Sequence, residues 1–338
     1  MKKFIVATGV SLIALSSAAS AADLEYERQM GLIVSGVVDS WIGGQWINGD
    51  RVCAFSYCIY ETRLSDSYGD PTVFATGGEG LLSLPLSDNV SIQNDVKYEA
   101  NTQANDPIYS TVGPRYWFQG AVHVSWRDPM MGLLGIFGGM GGSSHGAPVF
   151  GRNDYRFVGG EAQYYHENLT FYVQGGYLDL DRRFSCESVC LVRLDSIPHD
   201  EGVFGRGVAR WFPTAVSRLQ LEATFLRLSG ISSDFRFLDS DGSDTDVWSW
   251  KARYDFSFDN LPVFGTLPVY VAYRGTLRED CFRGFDGSGG DLVDHTFMVG
   301  TSYSFNGDRL TIDRQGATLD TPDVGNMIGC SAVSEGPL

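Results

Sequence analysis

Apolar and polar residues alternate along much of this chain, and the most regular stretch covers residues 90–99. Its apolar set, with Asn94 as the one polar member, is Val90, Ile92, Val96 and Tyr98. The residues between them are Ser91, Gln93, Asp95, Lys97 and Glu99. Because successive side chains of a strand point to opposite faces, the stretch predicts a strand with one apolar face and one face that contacts water.

The same alternation recurs in about twelve segments separated by turn residues, which is typical of strands. Their ranges are roughly 31–46, 72–86, 90–101, 114–127, 132–142, 153–166, 169–180, 202–212, 218–230, 246–258, 267–277 and 293–305. If the apolar face of every strand faces lipid, the sheet must close into a barrel. An even number of strands returns both ends of the chain to the same side of the membrane.

The connections between these segments alternate between short and long. The short ones are 87–89, 128–131, 167–168, 213–217 and 259–266, and the long ones are 47–71, 102–113, 143–152, 181–201, 231–245 and 278–292. Short periplasmic turns and long external loops are how outer-membrane barrels are built. The sequence therefore predicts an all-β fold, a transmembrane antiparallel up-and-down β-barrel of about twelve strands.

The first residues are typical of a secretory signal peptide, residues 1–21. Lys2 and Lys3 precede an apolar run over 4–15, and a small-residue cleavage pattern follows at 19–21. The run is too short to span a bilayer as a helix, and no later stretch approaches eighteen apolar residues. Only closed barrels and helices satisfy their backbone in lipid, so we expect a barrel over 22–305. Residues 306–338 form a polar tail, either periplasmic or plugging the lumen.

Composition changes this picture little. The chain has 41 glycines, 13% aromatic residues and a formal net charge of −16. Loss of Lys2 and Lys3 with the signal peptide makes that charge −18. Such acidity argues against nucleic acid or an anionic membrane surface as a partner.

Aromatic residues cluster where strands are expected to reach the membrane interfaces. Those at the periplasmic ends are Trp126, Trp211, Phe212, Phe256, Phe258 and Phe305, and Trp41 and Trp46 lie near the outer end of the first strand. Amphipathic rings favour both interfaces, so these residues are expected to form two girdles. The alternative is the ordinary enrichment of aromatic residues in strands.

The last predicted strand, 295–305, has alternating apolar residues with Tyr303 and Phe305 near its end. It resembles the C-terminal signal of Gram-negative outer-membrane barrels. With the signal peptide, this makes residues 31–305 similar to a porin-like barrel of the alphaproteobacterial type. The chain departs from that pattern because thirty-three residues follow Phe305.

The polar faces of the strands give a set of candidate lumen-lining residues. They are Asp39, Glu79, Asp95, Glu99, Arg115, His123, Arg206, Arg210, Lys251, Arg253 and Arg274. The acids come from the first three strands and most of the bases from strands eight, ten and eleven, so we expect a field across the lumen. Such a field orients dipolar solutes in a channel. The alternative is a salt-bridge network that closes a narrow lumen, since a twelve-strand barrel is intermediate in width.

Six cysteines in an exported protein are expected to pair. Cys53 and Cys58 share the first long loop, and Cys186 and Cys190 share the fourth, which predicts two local disulfides. Cys281 and Cys330 start on opposite sides of the membrane, and a bridge between them requires the tail to thread up the lumen. Two unpaired thiols, or a bond from Cys330 to a partner, are the alternatives.

Two further motifs suggest chemistry that we consider secondary. His123 and Ser125 lie on one strand face, as in outer-membrane lipases, but both are expected to face the lumen, so we expect no enzyme and no catalytic residue. The acidic stretch 239–246 could bind calcium, yet it does not match an EF-hand and is expected to be a solvated loop. We expect no metal site and no cofactor.

The sequence as a whole predicts an outer-membrane channel for passive diffusion of small hydrophilic solutes. Its expected partners are those solutes and the lipid and lipopolysaccharide of the outer membrane. The alternative is a structural or adhesive outer-membrane barrel with a plugged lumen.

Overall fold

A computed structural model of the chain describes residues 34–49, 53–54, 57–58, 73–102, 114–145, 152–183, 200–229, 244–261, 265–283 and 289–328. The predicted signal peptide, most of the long external loops and the last ten residues lie outside these ranges. The expectations for Cys186, Cys190 and Cys330 therefore fall outside the described residues, as does most of the acidic stretch 239–246.

Twelve antiparallel strands form one closed barrel, which confirms the predicted fold class. They are β1 (Ser35–Gly49), β2 (Val73–Pro85), β3 (Val90–Thr102), β4 (Pro114–Asp128), β5 (Gly132–His145), β6 (Arg152–His166), β7 (Leu169–Arg183), β8 (Asp200–Thr214), β9 (Ser217–Ser229), β10 (Thr245–Leu261), β11 (Gly265–Arg283) and β12 (Gly289–Phe305). Each strand pairs with its neighbours in sequence. A separate small hairpin joins Cys53–Ala54 to Tyr57–Cys58 and sets Cys53 opposite Cys58 in backbone register.

The first and last strands close the barrel. β1 pairs with β12 from Gly36 opposite Phe305 to Gly49 opposite Leu292, and its other edge pairs with β2. Closure leaves no sheet edge, so the backbone groups of all twelve strands are satisfied within the sheet.

Burial alternates along the strands, and this separates an outer apolar face from an inner polar face. In β4 the exposed side chains are Tyr116, Phe118, Val122, Val124 and Trp126, and the buried ones are Trp117, Gln119, Ala121, His123, Ser125 and Arg127. A polar residue on the buried side and an apolar one on the exposed side is the reverse of a soluble sandwich. It is the arrangement of a barrel whose outer wall contacts lipid.

The aromatic prediction is wrong for Phe212 and for Trp41, which packs against Tyr270 and Met298 and lines a cavity in the lumen. Trp126, Trp211 and Phe258 are about half exposed near the end of the barrel that carries the short turns. Phe212 is 2% exposed and faces inward. Adjacent residues of a strand face opposite sides, so Trp211 and Phe212 could not both join the outer girdle.

The chain turns back on itself after β12 and enters the barrel. Two short helices lie in this C-terminal segment, α1 (Arg309–Gln315) and α2 (Val324–Met327), with an extended stretch over 316–323 between them. Almost every residue of 316–328 is buried. Among the described residues, no helix has the length and apolar character needed to cross a membrane.

The outer face can be tested with a charge. Val299, in β12, lies between Ile42 of β1 and Val271 of β11 and is exposed on the outer wall. Val299→Arg should cost about 2 to 4 kcal/mol of folding free energy in a bilayer, because the guanidinium meets hydrocarbon. Val299→Leu should cost little. The measurement is urea unfolding from liposomes; equal values for the two variants would contradict the lipid-facing assignment.

Candidate functional site

The C-terminal segment first closes the mouth of the barrel that carries the short turns. Asp308 caps α1 by accepting a hydrogen bond from the backbone N–H of Thr311 at 2.7 Å. The Leu310 N–H donates to the carbonyl of Ala215, in the turn between β8 and β9. Arg314 donates to the carbonyls of Glu167 and Leu169, around the turn between β6 and β7. Helix α1 is thus tied to two separate turns at this mouth.

The extended stretch then passes close to β1. A Cβ on Gly316 would lie 2.4 Å from Ser35 Oγ, so only glycine allows this approach. The next N–H, of Ala317, donates to the same Ser35 hydroxyl at 3.0 Å. Arg127 of β4 donates to the carbonyl of Gly316 at 2.8 Å. The segment is therefore held from two sides where it enters the lumen.

Further in, amide side chains of the wall replace the partners that a strand ladder would supply. Gln93 donates to the carbonyl of Leu319 and accepts from the N–H of the same residue. Gln119 donates to Thr321 Oγ1 at 2.7 Å and to the carbonyl of Pro322 at 2.8 Å. Buried backbone groups need such partners. The two glutamines make an extended backbone stable inside the barrel without a neighbouring strand.

Asp320 of the segment meets three wall cations. Its carboxylate lies 2.7 Å from Arg206, 3.1 Å from Arg210 and 3.3 Å from the Lys97 ammonium. Its backbone carbonyl also accepts from Arg206 at 2.7 Å and from Gln174 at 3.0 Å. These contacts join the segment to β3, β7 and β8 at one level of the barrel.

Asp323 meets a second set of cations three residues later. Its carboxylate lies 3.1 Å from Lys97, 3.7 Å from Arg274 and 3.8 Å from Lys251. Lys97 therefore bridges the two carboxylates. Buried charges are stable only when they are paired in this way.

The contacts between the C-terminal segment and the barrel wall become mainly apolar at helix α2. Val324, Met327 and Ile328 are fully buried. They belong to one cluster with inward-facing wall residues, among them Phe157, Leu178, Leu180, Leu226 and Leu228. Asn326 ties the helix to β11, since its carbonyl accepts from Arg278 and its amide donates to Thr276. The segment thus ends in an apolar seat in the half of the barrel that faces the long loops.

The structure places the sequence-predicted lumen residues inside the barrel, with Glu79 and Lys251 half-buried. The side chain of Arg115 lies outside the described part. Opposite charges are not separated by open water: Arg253 contacts Asp39 at 2.5 Å, and both Arg274 guanidinium NH₂ groups contact Glu99 at 2.8 and 2.9 Å. The predicted field across the lumen is replaced by direct ion pairs around the C-terminal segment.

His123 and Ser125 serve separate contacts. The His123 ring bonds Glu161 at 2.9 Å and lies 3.8 Å from Asp95, while Ser125 Oγ pairs with Ser91 Oγ at 3.0 Å. These contacts hold neighbouring strands and the Thr321 partner Asp95 in place. Within the described ranges, no group of three His, Cys, Asp or Glu side chains is arranged to hold a metal ion.

The predicted lumen-lining set omits the neutral residues that hold the segment. Gln93, Gln119, Gln163 and Gln174 all donate or accept hydrogen bonds with residues 318–322. They share the inward parity of the predicted charges, and that parity was the available signal. A search restricted to charged side chains passes over them.

Two small cavities remain beside the segment. Their empty volumes are about 400 and 500 Å³, including space open to solvent. Both are lined by Asp39, Glu79, Lys251 and Arg253, so they adjoin on the β1, β2 and β10 side of the lumen. Small polar cavities therefore lie beside the segment along this wall.

The buried ion pairs can be compared with an exposed one. Arg253 is buried against Asp39 and Asp255, whereas the half-exposed Arg227 pairs with Asp246 on the outer surface. Arg253→Ala should lower the free energy of unfolding by about 3 to 5 kcal/mol, because buried Asp39 loses its ion-pair partner and Asp255 keeps only Arg218 and Arg309. Arg227→Ala should lower it by less than about 1 kcal/mol. Urea titration of both variants checks this. Similar losses of unfolding free energy in the two variants would show that the Arg253 ion pairs are hydrated.

Comparison with known proteins gives similarity of structure only. No protein-family model matches the chain, and no curated protein matches it. Solved structures similar to it include OmpT, an outer membrane protein of Vibrio cholerae (7% identity, 81% of this chain, 99% of that chain, TM-score 0.37). Others are a Pseudomonas aeruginosa FadL homologue (12%, 81%, 90%, TM-score 0.36) and the translocator domain of the Neisseria meningitidis autotransporter NalP (13%, 86%, 98%, TM-score 0.35). At these values the similarities carry no argument about activity, and the barrel stands on its own strand register.

Proposed function

We propose that this protein is an outer-membrane channel closed by its own C-terminal segment, residues 308–328, called the plug below. The observation that carries the proposal is the path of the plug. It begins at the mouth with the short turns, where α1 contacts Ala215, and reaches the apolar seat of α2 in the opposite half of the barrel. A segment that occupies the lumen along this path blocks passive diffusion while it stays there.

The exposed side chains of the outer wall support a location in the outer membrane. Large apolar side chains such as Leu134, Ile136, Met140 and Val158 are more than half exposed in the middle of their strands. Exposure of this apolar surface to water is unfavourable, whereas its contact with lipid is not. The N-terminal pattern at 1–21 and the even strand number are consistent with export to that membrane. Outer-membrane lipid and lipopolysaccharide are then the partners of the outer wall.

The nature of the plug contacts favours a channel that opens. Between 316 and 323 the plug is held chiefly by hydrogen bonds and ion pairs, which water can replace as the segment leaves, although Leu319 also packs against Leu133 and Val208. The wall behind it carries Arg206, Arg210, Lys251 and the glutamines, so an emptied lumen would be a hydrated, charged pathway. Such a wall passes small hydrophilic solutes and rejects apolar ones.

A permanently plugged structural or adhesive barrel is the second candidate. Its support is the number of independent anchors: α1 on two turns, two aspartates on wall cations, and α2 in an apolar seat. Breaking all of these anchors together would require a large free energy, because the paired carboxylates and cations would have to separate at the same time. The two candidates differ in whether any current passes once the plug is loosened.

Single-channel recording separates the candidates. The unaltered protein should be closed for most of the time in a planar bilayer. The full-length variant Gln93→Ala with Gln119→Ala removes four hydrogen bonds to the plug and no charge. It should open at least tenfold more often, which corresponds to about 1.4 kcal/mol of plug contacts.

The matched control is Gln315→Ala, an exposed glutamine on α1. It should leave the opening frequency unchanged, and heat-modifiable gel mobility should show all three proteins folded. A folded double variant that never conducts, together with a silent variant deleted after residue 306, would contradict the channel and favour the structural barrel. Steady large currents from the unaltered protein would contradict the plug.

A further inference from the structure

The wall behind the plug carries charges that would select a solute, an inference that rests on the proposed channel. Five wall cations converge on the plug carboxylates Asp320 and Asp323. They are Lys97, Arg206, Arg210, Lys251 and Arg274. They come from β3, β8, β10 and β11, so four strands contribute cations to one level of the lumen.

Wall carboxylates neutralise only part of this charge. Glu79 lies 3.3 Å from Lys97, Glu222 lies 2.8 Å from Arg206, and Glu99 lies 2.8 Å from Arg274. These three wall acids are fewer than the five bases, and plug carboxylates, chiefly Asp320 and Asp323, meet the excess positive charge. Asp313 of α1, also a plug residue, contacts Arg210 at 2.9 Å and is the third plug carboxylate on these cations. Asp95 and Glu161 lie against His123 and are outside this set.

We propose that the wall is a binding site for a small dianion, and that the plug occupies it with Asp320 and Asp323 in place of the solute. The class that the geometry favours is a short-chain dicarboxylate. Each carboxylate has an oxygen within 3.3 Å of the Lys97 nitrogen, so two oxygens, one from each group, are less than about 7 Å apart. A four-carbon dicarboxylate can place its two carboxylates within that limit, and each can then meet one of the two cation pairs, Arg206 with Arg210 or Lys251 with Arg274.

Two of these cations have hydrogen-bond donors that the plug does not fully use in the described structure. Arg274 lines the first cavity and is almost fully buried, yet its Nε has no hydrogen-bond partner among the described residues. Lys251 lines both cavities and reaches Asp323 only at 3.8 Å. Donors are thus present beside the plug, where a solute could begin to replace it.

Calorimetry on the full-length protein tests the site directly. In Asp320→Asn with Asp323→Asn the plug loses the two carboxylates that meet most of the wall cations, so the five bases outnumber the acids that still contact them. Succinate should bind this variant at least tenfold more tightly than acetate, and at least tenfold more tightly than it binds the unaltered protein. The single variant Asp323→Asn should fall between them, and Gln315→Ala should behave as the unaltered protein.

The outcomes distinguish the site from the channel. Succinate binding no stronger than acetate binding in a folded double variant would overturn the dianion site, even if the same variant conducts. Inorganic phosphate binding more tightly than succinate would overturn the dicarboxylate assignment. Strong succinate binding without any current would support the site and contradict the channel.

A measurement on the unaltered protein covers the case in which the double variant does not fold. In a planar bilayer at matched ionic strength, succinate should raise the opening frequency at least tenfold more than acetate, because it competes with both plug carboxylates. Equal effects of the two anions would overturn the site.

Discussion

The structure depends on the pairing of charges and backbone groups inside a lumen whose charged side chains are mostly buried. Asp320 and Asp323 have no stable place in such a space without cations, and Lys97 and Arg206 have none without anions. Each set therefore requires the other. The plug remains in the barrel because leaving it would expose an unbalanced wall, and the wall tolerates its own positive charge because the plug is there.

The membrane imposes the second constraint, and it acts on the opposite face of the same strands. Lipid requires an apolar outer wall and a closed sheet, so every alternate residue of each strand is assigned to hydrocarbon. The other parity is then free to carry polar chemistry, as in β4, where Trp117, Gln119 and His123 face inward. A plugged barrel is thus a core of polar and charged residues with an apolar surface.

The barrel could be predicted from the sequence because its signal is local. A period of two over Val90–Thr102, or over the closing strand before Phe305, specifies both the strand and the side that each residue faces. The position of the plug could not be predicted in this way. The contact between Lys97 and Asp320 joins residues 223 positions apart, and the extended stretch 316–323 has no apolar period. Phe212 shows the limit of a local rule, since counting aromatic residues near a strand end ignored their parity.

The central claim is that residues 316–328 lie inside the folded barrel, where backbone N–H groups of Ala317, Leu319 and Thr321 donate to Ser35, Gln93 and Asp95. Hydrogen–deuterium exchange of the full-length protein in nanodiscs measures this directly by mass spectrometry of peptides from that range. Exchange as slow as that of the barrel strands is the result expected for amides that open only with the plug. Exchange at the rate of an unstructured peptide, in a protein whose strands are protected, would contradict the claim.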